Sequence, residues 1–144
     1  MSEFSASALL KSADGSTGID VGKFPPQSQV SITVNGISTD IVSTNFEDHI
    51  FVVITQINKF GTMIKAWSEN RGEGGKLFET QPILGKRDDV ILQLYARQII
   101  EKISYVSTKP LLLAISLKQT ENNESEISMM KSILTTLYEI ANWS

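Results

Sequence analysis

Two stretches of the chain are apolar without alternation: Ile50 to Ile54, reading IFVVI, and Leu111 to Leu117, reading LLLAISL. Both are short, and the first is rich in β-branched residues, which favours strands over turns of a buried helix. Successive strand side chains point to opposite faces, so each run needs cover on both sides of a sheet. Elsewhere the pattern alternates. Val30, Ile32 and Val34 interleave with Ser31, Thr33 and Asn35, the mark of a strand with one apolar face. Asn35-Gly36 tolerates positive φ at two successive positions and predicts a hairpin, with Ile37 to Phe46 as the returning strand. Ile41 and Val42 adjoin in that strand, a change of face that marks a bulge. Turns at Glu47-Asp48 and at Asn58-Lys59-Phe60-Gly61 flank the first apolar run, so the first four strands, ending with Thr62 to Trp67, read as a meander. Lys76 to Leu84 gives a fifth strand, whose Pro82 suits a sheet edge.

Helical spacing occurs twice. Ile91, Leu94, Tyr95, Ile99 and Ile103 recur at three and four residues behind Asp88, a predicted N-cap, and Asp89, which adds negative charge near the first-turn amides. Ile127, Met130, Leu134, Leu137 and Ala141 repeat likewise after Asn123 and Glu126, spaced as a capping box. The expected fold is α+β: a mainly antiparallel sheet of about six strands, in the order of five strands, helix, strand, helix, with both helices on one face. Residues 1–28 are rich in Ser, Gly, Asp and Lys and read as a flexible lead-in to a single domain over 29–144.

Sorting the strands by parity gives the sheet unequal sides. Val30, Ile32, Val34, Ile50, Val52, Ile54, Leu111, Leu113, Ile115 and Leu117 share an aliphatic side, where the helices belong. Phe51, Val53, Leu112 and Ala114 form an apolar centre on the other, with Ser31, Thr33, Thr55 and Ser116 around it. Apolar centres within polar rims are typical of interfaces. Each large side chain left wet there forfeits roughly 1.5–3 kcal/mol of burial. The expectation is a dimer interface at Phe51, Val53, Thr55, Leu112 and Ala114. The competing arrangement is a closed monomer with one helix on each face.

Composition narrows the chemistry. The 144 residues carry a net charge of -3, which offers no basic footprint for nucleic acid, and no cysteine for disulfides or thiolate metal sites. The first residues, MSEFSASALLKS, lack a basic segment followed by an apolar run, so export is not expected, nor is a membrane span. His49 is the sole histidine, no Gly-x-Ser-x-Gly elbow accompanies it, and the carboxylates are dispersed, so catalysis, cofactors and metals are not expected. Glu69 to Gly75, reading ENRGEGG, is a charged, glycine-rich mobile loop that fails the phosphate-binding pattern: Asn70 stands at its first glycine and Leu77 at its hydroxyl.

Val34-Asn35-Gly36, Thr44, Phe46, Val53-Ile54-Thr55-Gln56, Lys59-Phe60-Gly61-Thr62, Ile83-Leu84-Gly85 and Leu111-Leu112-Leu113-Ala114, in that order, give the chain a likeness. It resembles the proteasome-assembly chaperone 3 family. The resemblance implies an ATP-independent binding protein that works as a dimer, with itself or with the related chaperone 4. It also implies binding of α-type subunits of the 20S proteasome to promote correct ring formation, in the cytoplasm and also the nucleus. For the subunit contact, the expected residues are Asn58, Lys59 and Gly61 in one turn, and Glu69, Asn70, Arg71, Glu73 and Lys76 around the charged loop. The alternative is a longin- or roadblock-like adaptor for a small GTPase, disfavoured because about five strands precede the first helix here.

Overall fold

The structure, a computed structural model, describes residues 26–57, 61–118 and 123–144. Six strands form one sheet: β1 (Gln27–Val34), β2 (Ile37–Asn45), β3 (Ile50–Thr55), β4 (Thr62–Asn70), β5 (Lys76–Leu84) and β6 (Leu111–Ser116). Helix α1 (Val90–Ile103) precedes β6 and helix α2 (Asn123–Ile140) follows it. β1 begins within the expected lead-in; residues 1–25 lie outside the described residues, as do Asn58 and Lys59 of the predicted turn.

The spatial order is β1-β2-β3-β6-β4-β5, which corrects the four-strand meander. β1, β2 and β3 follow one another antiparallel, but β6 enters between β3 and β4, parallel to β3 and antiparallel to β4. The two strands that lack alternation therefore sit side by side at the middle of the sheet, where both of their faces are most shielded. A β3–β4 pair would have put the less apolar β4 there. The Asn35-Gly36 hairpin forms as expected, with φ of 51° and 76° at its two corner residues.

Three local expectations also change. β1 and β3 pair with β2 without a register shift, so no bulge separates Ile41 from Val42; the irregularity lies at Met63/Ile64, opposite Pro82. Asp89, not Asp88, caps α1, its carboxylate accepting from the Leu92 amide at 3.1 Å. β4 continues through Asn70, so the charged loop shrinks to a tight turn, closed by the Arg71 amide donating to the Gly75 carbonyl at 2.8 Å. The side-chain cap read for Asn123 lies outside the described residues.

Both helices pack on one side. α1 lies over β4, β5 and β6, and α2 over β1 and β2. Ile41, Ile50, Val52, Ile54, Ile64, Leu113 and Ile115 meet Tyr95, Ile99, Ile103, Ile133 and Leu137 in a continuous core. Beyond α2 the chain turns back so that Trp143 is buried, its indole N–H donating to the Ser43 hydroxyl at 2.9 Å.

Candidate protein-docking face

The helix-free side of the sheet carries a second, separate apolar cluster: Val42 and Val53, with Phe51 and Ala114 packed against them. Register places these residues in two rows. Gln29, Val42, Val53, Ala114 and Met63 run across β1, β2, β3, β6 and β4; Thr44, Phe51, Leu112 and Lys65 run beside them. Alternation along β4 adds Trp67 to this side, with the Lys65 ammonium 5.7 Å from its ring centre. Ser31, bonded to Asp40, and the buried Thr55 and Ser116 border the apolar centre. No helix covers this side among the described residues.

All five residues expected at the dimer interface lie together there. Their exposure, though, is uneven. Val53 is 1% exposed in the single chain and Thr55 3%, sheltered by their own neighbours, so burying them needs no partner. What remains half-buried is Phe51, Leu112, Ala114, Met63 and Trp67. Val42, 1% exposed beside Val53, belongs to the face and was missed because it reads as a change of direction in β2. Met63 and Trp67 were missed because the helix-free side of β4 becomes apparent once β6 is known to pair with it.

The expected subunit-binding residues are not brought together. Gly61 lies just before Thr62 at one end of β4, whereas Glu69 to Lys76 occupy the other, roughly 26 Å away at 3.3 Å per strand residue. Several of them serve the fold. The Asn70 side chain accepts from the Gly72 amide, and the Lys76 ammonium donates to the Ser104 carbonyl at the end of α1, 2.9 Å away. Glu69 pairs with Leu77 within the hairpin. Arg71 and Glu73 remain exposed at the turn. A Cβ on Gly61 would meet Ser116 Cβ at 2.8 Å and collide with the Ile115 carbonyl, so glycine is required by the approach of β6.

Other residues that carry the family likeness have similar work. Gln56 donates to Thr39 and to the Met129 sulfur, and accepts from the Lys118 amide at 2.9 Å. Thr62 accepts from the Lys86 amide at 3.1 Å, and Gly85, at φ 87°, abuts Thr62. These bonds lock the ends of β3, β4, β5 and β6 to one another. They build the scaffold and point to no reaction.

His49 stacks on Phe46 at 4.8 Å and pairs with Asp48 at 2.7 Å, a bond that holds the Asp48 carboxyl below the usual carboxylate range. Among the described residues no group of three metal-ligating side chains gathers, and no helix is long and apolar enough to cross a membrane.

Residues 52–140 match the sequence model of the family Proteasome assembly chaperone 3. A Nematostella vectensis protein of that description is 32% identical over 130 residues, covering 83% of this chain and 91% of its own. The Bos taurus counterpart is 31% identical over 93 residues, 62% of this chain and 75% of its own. Among solved structures, a chain from the crystal structure of a chaperone complex for yeast 20S proteasome assembly superposes with a TM-score of 0.50 over 78% of this chain and 93% of its own. At 15% identity that likeness concerns the fold.

Proposed function

This chain belongs to the proteasome assembly chaperone 3 family, and from that premise we propose that it is an ATP-independent assembly chaperone for the 20S proteasome. It binds α-type subunits and favours their correct ring order. Its working form is a dimer, with a second copy or with the related chaperone 4, built on the helix-free face. The observation that carries this reading is the apolar strip that folding leaves half-covered on the side away from both helices, Phe51, Met63, Trp67, Leu112 and Ala114 around the buried Val42 and Val53.

The mechanism follows from differential affinity. A rigid sheet that holds one subunit surface raises the local concentration of the right neighbour and excludes wrong ones, and neither effect needs an energy source. Membership of a chaperone family accords with the dispersed carboxylates and the structural engagement of His49 with Phe46 and Asp48. The protein is expected to act in the cytoplasm, where new subunits appear, and in the nucleus.

Pull-down against individual α-type subunits tests the proposal. Selective capture of one subunit or of two ring neighbours supports it. Indiscriminate capture of every α-type subunit, or of none, overturns it.

A further inference from the structure

One row beyond Thr44 and Phe51, the β2–β3 hairpin closes on Phe46 and His49, the Phe46 amide donating to the His49 carbonyl at 2.9 Å. Alternation along the two strands puts both rings on the helix-free side, where they stack at 4.8 Å. Pro110, whose carbonyl accepts from the Ile50 amide at 2.9 Å, continues the row ahead of β6, and Trp67 carries it onto β4, opposite Glu79 of β5. The Lys109 ammonium pins the corner, donating to the Asn45 side chain at 2.7 Å and to the Phe46 carbonyl at 2.8 Å. Phe46, His49, Pro110 and Trp67 are all half-buried, so the docking face has a third row, made of three aromatic rings and a proline. Asp48 and Glu69 lie beyond it at the exposed rim, where charges alter association rate more than affinity.

The rows read alike from either end. Across six strands the middle one runs Gln27, Thr44, Phe51, Leu112, Lys65, Gln81: two polar residues, two apolar, two polar. Its neighbour, Val42, Val53, Ala114 and Met63, is apolar from β2 to β4. A two-fold axis in the face, along the strands between β3 and β6, therefore sets apolar residues on apolar ones in all three rows and turns Lys65 toward the partner's Thr44. Three rows over six strands span roughly 20 Å by 29 Å, about 600 Å² before side-chain relief, approaching the ~800 Å² per partner of stable interfaces; two rows would offer about 400 Å².

We propose that the cover of this face is a second copy of the chain, related by that axis and anchored by the third row, with Phe46 packed on the partner's Trp67 and His49 on the partner's Pro110. The proposal rests on the docking-face reading and deepens it by naming the occupant, the axis and the anchoring residues. Isologous pairing makes each such contact twice.

Dissociation constants from dilution series of the full chain test it, for the wild type, Phe46→Ala, Trp67→Ala and the double variant. Each single substitution should weaken pairing roughly thirtyfold or more, as anchors do, and the double variant only a few-fold further, because both changes remove the same contact. Within one chain the two residues stand three strands apart, about 14 Å, so their effects on the denaturant midpoint in dilute samples should simply add. Phe46→Leu repeats the cycle should alanine unfold the corner. An unchanged constant in either single variant overturns the third row as anchor, and losses that multiply overturn the axis. A wild type that stays a single chain at every concentration overturns the second copy as occupant. Mixing with the related chaperone 4 then decides the docking-face reading separately: a pair formed there upholds it, and none sinks it.

Discussion

Leu112 and Leu113 are the same residue type at adjacent positions in β6, and the sheet gives them opposite fates. Leu113 is 0% exposed, enclosed with residues of both helices, whereas Leu112 is half-buried beside Phe51 and Lys65 on the side without helices. One face is a finished core. The other is apolar enough to be a core and lacks a cover among the described residues. Apolarity alone therefore does not identify an interface; the informative quantity is apolar surface that the chain's own folding leaves half-covered.

The largest effect should come from the finished side. Leu113→Ala leaves a cavity under the helices and is expected to cost about 3 kcal/mol, read as a lower denaturant midpoint at every protein concentration. Leu112→Ala should shift that midpoint far less in dilute samples. Its loss should grow with concentration, because it weakens association rather than the single chain. Equal losses for the two variants in dilute solution would erase the distinction between the faces.

Gly61→Ala sharpens the comparison by disturbing the insertion of β6 that gives the sheet two apolar sides. Forcing a methyl against the Ile115 carbonyl should cost about 1–3 kcal/mol. Next comes the helix that seals the finished face: Asp89→Ala removes the cap of α1 and should cost about 1 kcal/mol, with Asp88→Ala near zero. Thermal melts of the pair check which aspartate is the cap.

The smallest effect concerns a defect within the finished core. The Tyr95 hydroxyl is buried without a hydrogen-bond partner among the described residues, so Tyr95→Phe should be neutral or stabilise by up to about 1 kcal/mol. Burial, and then the Glu126 charge, push that hydroxyl's pKa upward; burial and Glu101 push Tyr138 up to about 12. Both groups are thus held neutral in the fold, while the unfolded chain ionises near pH 10. Their contribution is complete below about pH 10 and is lost as pH rises toward 12. Denaturant midpoints across pH 9 to 12 should fall, and less steeply in Tyr95→Phe/Tyr138→Phe.

Much of this arrangement was legible in the chain. Strand parity assigned Ile50, Val52 and Ile54 to the helices and Phe51 and Val53 to the opposite side, because period-two alternation is local and survives any strand order. Helix positions followed from spacing for the same reason. Strand order was not legible: nothing local tells β6 to pair with β3 in parallel, a choice made by the double-sided apolarity that the two strands share. That omission hid Met63 and Trp67, and reading Val42 as a bulge hid the residue next to Val53. The partner-binding guess suffered differently. Charge and glycine marked Glu69 to Lys76 as a loop, yet Asn70 and Lys76 are engaged by Gly72 and Ser104, contacts that no spacing along the sequence announces.

The central claim is that another polypeptide covers the helix-free face. Its most direct test is the solution mass by light scattering of the wild type, alone and mixed with the related chaperone 4, beside the same measurements on Leu112→Glu. Val53→Glu is less suitable, since Val53 is already buried in the single chain. A two-chain mass in at least one wild-type sample, reverting to a single folded chain with glutamate at position 112, is the predicted result. Single-chain masses in both wild-type samples, or a two-chain particle indifferent to that charge, would contradict the account.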